Sequence, residues 1–320
     1  MKVCGTLPST QRVKKQNEGA WPLMIEVRRL LDAPIIRAHM DGRMGANING
    51  PSLIRVPAWV QAPLGRFYLY FADHRGTYIR LAYADEVTGP WRMHEPGVLD
   101  LDESRFPVRH PGGPEHYAHI ASPDLHVETD AGRLRMYFHG RHEGATQLSR
   151  VALSEDGLSF EVLPELLGPS YFRVFRHQGW WYALAMPGTF RRSKDGLVGF
   201  EEGPDLGDPD MRHVALTVRG DVLHLFWTRA GDAPEQILHS TIDIAGDWRG
   251  WRLEGTRPVL RPERSWEGAA LPIFPSKRGA IYGPVHQLRD PCLFEDGGRV
   301  YLLYSSAGEQ AIGLAEVSGL

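Results

Sequence analysis

Pro51-Ser-Leu-Ile-Arg-Val-Pro57, Arg66-Phe-Tyr-Leu-Tyr-Phe-Ala72 and Tyr78-Ile-Arg-Leu-Ala-Tyr-Ala84, closed by Asp85-Glu-Val-Thr-Gly-Pro-Trp91, decide the fold. Each run is short, aromatic or β-branched and bounded by turn residues, the pattern of hairpin strands. The same sentence recurs. Its second copy holds Pro123-Asp-Leu-His-Val127, Leu134-Arg-Met-Tyr-Phe-His139, Gln147-Leu-Ser-Arg-Val-Ala-Leu153 and Ser154-Glu-Asp-Gly-Leu-Ser-Phe160. Shorter copies start at Tyr171 and Val214, and a last one runs from Pro291 to Val317 without a closing strand. Four-strand units repeated every several tens of residues indicate a propeller, because one blade cannot bury both faces alone. The sequence therefore predicts an all-β, five-bladed β-propeller in one domain, with blades near residues 47–95, 120–165, 169–205, 212–252 and 289–320. Residues 1–46 are expected to close the ring. The last copy lacks its outermost strand, and Leu23-Met-Ile-Glu-Val-Arg-Arg-Leu30 is the segment to supply it.

Composition narrows the function. The 320 residues carry a formal net charge of −3, which argues against nucleic acid or an anionic membrane as the main partner. No apolar run is long enough to span a bilayer, and the segment before Pro22 has no apolar signal core. Two cysteines, Cys4 and Cys292, make no disulfide framework, so a reduced, cytoplasmic protein is expected. His110, His116, His119 and His139 match no standard zinc spacing; no metal and no cofactor is expected. There is no nucleophile elbow, P-loop or dinucleotide fingerprint.

Hairpin parity locates the working face. If each innermost strand starts at the upper end of the axis, the turns after it are at the lower end and the links between blades return to the top. Two long insertions, Met93 to Ile120 and Leu253 to Arg289, then share the upper face, the usual place for a site. That face also collects Asn49, Asp73, His74, His119, His139, Arg141, Arg173, Arg212, His213 and Arg289, polar groups that are costly to desolvate unless paired or used. Trp266, beside Glu267 in the second insertion, is the aromatic of that face expected to contact a ligand.

The blade openings Asp290-Pro291 and Ser122-Pro123-Asp124-Leu125, with the closings Thr88-Gly-Pro-Trp91 and Ser154-Glu-Asp-Gly-Leu-Ser-Phe160, resemble the five-bladed propeller glycosidases of glycoside hydrolase family 43 and its relatives, families 32, 68, 117 and 130. The resemblance spans Asn47 to Val317 and implies three axial carboxylates: a base from blade one, a modulator from blade two and an acid from blade three. Asp124 matches the modulator. Gly50-Pro51-Ser52 stands where the base is expected, and Gly168-Pro-Ser-Tyr171 carries no acid, so the family's set does not transfer whole.

The remaining carboxylates fill the scheme. Asp290 precedes a proline as the family's base does, one blade earlier in the ring. Glu267, or Glu115 in the first insertion, is the expected proton donor over the mouth. Glycoside cleavage needs such an acid and a base or nucleophile on opposite sides of the sugar. The resulting expectation is an exo-acting glycoside hydrolase for a small carbohydrate, with Asp124, Asp290 and Glu267 catalytic. Two alternatives stay open: a phosphorylase like those of family 130, using Arg141, Arg173, Arg212 and His213 for phosphate, and a sugar-binding propeller without catalysis.

Overall fold

The computed structural model describes residues 1, 24–109, 117–143 and 146–320, and the ring is there. Strands β1 (Glu26–Arg29) and β2 (Ile36–Arg37) precede blade one, which is β3 (Asn49–Arg55), β4 (Phe67–Ala72), β5 (Tyr78–Ala84) and β6 (Arg92–Asp100). Blade two comprises β7 (Ile120–Glu128), β8 (Arg133–Arg141), β9 (Gln147–Ser154) and the short β10 (Glu161–Val162) and β11 (Gly168–Pro169). Blade three is β12 (Arg173–His177), β13 (Trp180–Ala185), β14 (Thr189–Ser193) and β15 (Glu201–Asp205). Blade four is β16 (Met211–Arg219), β17 (Val222–Arg229), β18 (Ile237–Asp243) and β19 (Glu254–Leu260). Blade five has β20 (Leu288–Asp296), β21 (Arg299–Ser306) and β22 (Ala311–Ser318).

Ring closure follows the sequence reading. Strand β1 pairs antiparallel with β22, Glu26 opposite Ser318 and Arg29 opposite Ala315, so blade five takes its outer strand from the N-terminal side. Leu23 lies outside the described residues. The insertions are shorter than expected, because β6 and β19 occupy their first residues. These outer strands carry Pro, Gly and register shifts and show no regular alternation, which hides them in the sequence.

An apolar cluster fills each seam between neighbouring blades. Leu303 and Leu314 meet Leu53 and Leu69; Tyr70 and Leu81 meet Leu125 and Met136; Tyr137 and Val151 meet Phe172 and Trp181. Phe175 and Leu184 then meet Val214 and Trp227, and Phe226 and Ile237 meet Leu302 and Ala315. Among the described residues no helix is long and apolar enough to cross a membrane.

The five innermost strands share one device. Gly50, Ser122, Tyr171, His213 and Asp290, one at each blade opening, have φ of 58°, 53°, 58°, 44° and 47°. At Gly50, Ser122, His213 and Asp290 the register with the second strand also shifts. A left-handed residue at a bulge re-aims its side chain, here at the upper end of the axis. Gly50 has no side chain because there is no room: a Cβ would lie 2.8 Å from Ser122 Cα.

Glu267 holds the closure. It sits at the end of a short 3₁₀ turn (Ser265–Glu267), fully buried. Arg29 of β1 donates to both of its oxygens at 2.7 and 2.8 Å, and Tyr304 of β21 donates at 2.8 Å. The backbone N–H groups of Glu263 and Arg264 complete its shell. Burial opposes ionisation, but these donors outweigh it and hold the Glu267 carboxyl below its usual value.

Two outcomes are expected. Glu267→Ala strands Arg29 and Tyr304 and should cost about 3–5 kcal/mol in urea unfolding. Because the folded-state pKa of Glu267 is depressed, its contribution is present above the unfolded value and lost as pH falls through the folded one, so wild type should lose its margin over Glu267→Gln on acidification. Equal midpoints for all three proteins would remove the clasp. Separately, Gly50→Ala should lose more than about 1 kcal/mol, because alanine disfavours positive φ and meets Ser122; wild-type stability for that variant would deny the close approach.

Candidate functional site

The axis carries two cavities. The upper pocket, about 340 Å³, is lined by Asn49, His74, Ser122, His139, Gln147, Ser170, Tyr171, Arg212, His213 and Arg278. The lower funnel, about 840 Å³, is lined by the far halves of the inner strands and includes Asp124, His126, Arg173 and Cys292. Size favours the funnel, but the convergent polar side chains are in the upper pocket, under the insertions.

Asp290 closes the pocket from below. Its Oδ1 accepts a hydrogen bond from the Tyr171 hydroxyl and lies 3.4 Å from His213 Nε2; its Oδ2 is buried without a partner among the described residues. Burial and the neighbouring Glu309 carboxylate raise its pKa. Glu309, in the upper turn between β21 and β22, goes the other way. Burial opposes its ionisation, but His74, Arg289 and Asn47 outweigh that and hold it at about 2. Its Oε1 accepts from Arg289 at 3.0 Å, its Oε2 accepts from Asn47 at 2.7 Å, and His74 Nδ1 lies 3.3 Å from Oε2. Two coupled carboxylates are thus driven apart, one toward the acid form and one toward the anion.

The arginines beneath the pocket are matched. Arg289 also lies 3.2 Å from Glu235, which is 3.6 Å from Arg212, and Lys277 O accepts from Arg212. Arg212 donates to His213 Nε2, which leaves the ring proton on Nδ1 beside Thr228 Oγ1 at 3.2 Å. Burial holds His139 and His213 well below their usual pKa, and burial with neighbouring His74 brings His119 down to about 3. His139 Nδ1 and Asn49 Oδ1 are buried without partners among the described residues.

Asn49, His74, His139, Arg212 and His213 therefore line the upper pocket, and Asp290 lies against it. His119 is one ring behind, 6.4 Å from His74 and 5.9 Å from His139 between centroids. Asp73 pairs with Arg80, Arg289 is spent on Glu235 and Glu309, and Arg141 lies over the Tyr117 ring at 5.6 Å.

The structure does not bring Asp124, Asp290 and Glu267 together. In the inner strands the equivalent of Asp290 is Ser122; Asp124 is two residues further down, at the funnel. There it accepts from His126 and from Val174 N–H; burial opposes ionisation, but these contacts and Arg173 hold its pKa down. Arg173 bridges the blades on either side of its own, donating to Pro123 O in blade two and Val214 O in blade four. Glu267 is at the outer seam, and Trp266 beside it stacks on Tyr304 rather than facing the pocket. Glu115, His110 and His116 lie outside the described residues. Among those described, no three His, Cys, Asp or Glu side chains form a metal-ligand group.

Sequence reasoning missed Tyr171, Glu235 and Glu309. Aligning Gly50-Pro51, Ser122-Pro123 and Asp290-Pro291 exposes Ser122 as the blade-two equivalent; the two glutamates have no motif.

No protein-family profile matches the chain. Among solved structures it superposes on a family 43 β-xylosidase/α-arabinofuranosidase from a compost microbial metagenome, with a TM-score of 0.58 and 15% identity over 91% of this chain and 95% of that one. A family 43 enzyme from Xanthomonas citri, solved with xylose, gives 0.57 and 11% over 89% and 90%. An exo-β-1,3-galactanase from Phanerochaete chrysosporium gives 0.56 and 10% over 92% and 64%. Identities this low establish the architecture, a family 43-like five-bladed propeller. Kinship comes from sequence: 36% identity over 292 residues, 83% of this chain and 82% of its relative, places the chain in the same family as the uncharacterized protein R118 of Acanthamoeba polyphaga mimivirus.

Proposed function

We propose that the protein hydrolyses a small glycoside in the upper pocket, with Asp290 as proton donor and His74, oriented by Glu309, as the base that activates water. The observation that carries this reading is the placement of two buried carboxyls at the pocket: Asp290 with one oxygen unpartnered among the described residues and its pKa raised, and Glu309 held as the anion by Asn47, Arg289 and His74. Turning the Asn49 amide so that its oxygen rather than its nitrogen faces His74 Nδ1 lets that nitrogen carry a proton toward Glu309 and leaves Nε2 as acceptor. The leaving oxygen takes the Asp290 proton while water loses its own to His74, so both needs of glycoside cleavage are met without the family's base.

The pocket's small volume and its cover of insertions favour exo action on one terminal unit. Asn49, Gln147, Ser170 and His139 offer the donors and acceptors that a polyhydroxylated ring requires. The xylose and xylotriose held by family 43 structures fit a ligand of this size.

Turnover of aryl glycosides, with and without phosphate, tests the proposal. Asp290→Asn should lower kcat by about 10²–10⁴-fold on any substrate found, with near-normal thermal stability. Asp124→Asn should lose stability more than kcat. Since Asp290 acts protonated and its pKa is raised, kcat should fall as pH rises through the folded pKa of Asp290. Binding without turnover across the panel would reduce the function to sugar recognition, and full activity in Asp290→Asn would end the assignment.

A further inference from the structure

The rim of the pocket differs from its interior. Arg75, in the turn between β4 and β5 and next to pocket-lining His74, is exposed, yet its guanidinium lies against two rings. It lies 4.6 Å from the Tyr117 centroid and 4.5 Å from that of Tyr282. Tyr117 comes from the first insertion and Tyr282 from the second, so Arg75 is where the two insertions meet over the mouth. Tyr117 lies 5.3 Å from His119, and Ile281 O accepts from Asn47, which ties the stack to the pocket wall.

Contact of a guanidinium face with aromatic rings leaves its N–H edge available, pre-organised for a planar or tetrahedral anion. Among the described residues no carboxylate comes within ion-pair distance of Arg75, in contrast with the matched Arg212 and Arg289 below. Two more guanidinium groups share the rim: Arg141 over Tyr117, and Arg278, which lines the pocket and donates to Pro209 O, with Asp210 3.4 Å away. Inside, the buried arginines are matched by carboxylates; at the mouth an arginine is displayed.

We propose that this rim is a subsite for an anionic group, phosphate or carboxylate, attached to or bound beside the sugar ring, and that Arg75 is the residue that reads it. The inference rests on the reading that a sugar occupies the pocket, but it is tested by binding, so it does not depend on turnover. The substrate class is then an anionic glycoside, or a neutral glycoside with free phosphate beside it.

Calorimetric titration of the full-length protein with xylose, glucose and galactose, each alone, with inorganic phosphate, and as the 1-phosphate, separates the sources. Carboxyphenyl against nitrophenyl glycosides of the same sugars forms the carboxylate arm. At least one anionic arm should bind roughly 5- to 10-fold tighter than its neutral counterpart. That preference should vanish in Arg75→Gln and return largely in Arg75→Lys, while neutral-sugar affinity stays put. Preference for the attached anion alone names an anionic glycoside; enhancement by free phosphate names a co-bound anion. Equal affinity in every arm, or a preference that survives Arg75→Gln, would overturn the proposal. Loss of all sugar binding in wild type would instead refute the pocket reading itself.

Discussion

Everything at the upper axis depends on one backbone constraint, the left-handed residue at each blade opening. Holding a non-glycine residue there costs on the order of 1–3 kcal/mol, and four of the five positions bear it. The surrounding seams over-determine those conformations, since each inner strand is fixed by pairing on one edge and by apolar clusters on both faces. The result is that Ser122, Tyr171, His213 and Asp290 converge on the axis, where straight strands would point their side chains into the seams. Strain concentrated at one end of a rigid ring is what a site looks like when the scaffold enforces it. Gly50, the exception, is exempt from the penalty but closed to any side chain.

Convergence alone would be destabilising, because it buries charge. Arg212, Arg289, Glu235, Glu309 and Asp290 are all nearly inaccessible, and such groups persist only when paired and hydrogen-bonded. The pairing is uneven. Arg289 serves two glutamates, Glu309 also draws on Asn47 and His74, and Asp290 is left with Tyr171 and one empty oxygen. Glu235 has no hydrogen bond among the described residues but stands within ion-pair distance of Arg212 and Arg289, whereas Asp290 has only His213 at that distance, so Asp290 is the carboxyl with most reason to keep a proton. Arg173 adds a different restraint, tying blades two, three and four together at the funnel.

The ring was legible because its signals are local: aromatic runs, Gly/Asp turns and a missing last strand each need only a few neighbouring residues. Strands β6 and β19 were hidden because edge strands tolerate proline, glycine and register shifts. For the site, the upper face and Asn49, His74, His139, Arg212, His213 and Asp290 were within reach of parity and the Asp-Pro step. Asp124 misled because its Ser-Pro-Asp motif has the right composition two residues too late. Glu267 misled for another reason: its partner Arg29 is 238 positions away, and no local pattern announces so distant a pairing. Glu235 and Glu309 are turn residues that acquire meaning only when blades four and five bring them to the same arginine.

The likeness to family 43 and the empty blade-one position belong together. A fold shared at 10–15% identity preserves seams and bulges, which depend on residue class, far better than it preserves reacting groups, which depend on single atoms. Here the site of the family's base is filled by the backbone of blade two pressed against Gly50, so no carboxylate could return there without moving a strand. In the proposed scheme the base is found elsewhere, and Glu309 reaches the pocket through His74. The base then moves from a strained inner-strand position to an upper turn, where His74 Nδ1 lies 3.3 Å from Glu309. The move also sets His74 directly beside Arg75, so in the proposed scheme one turn carries both the group that activates water and the group that reads the substrate's charge.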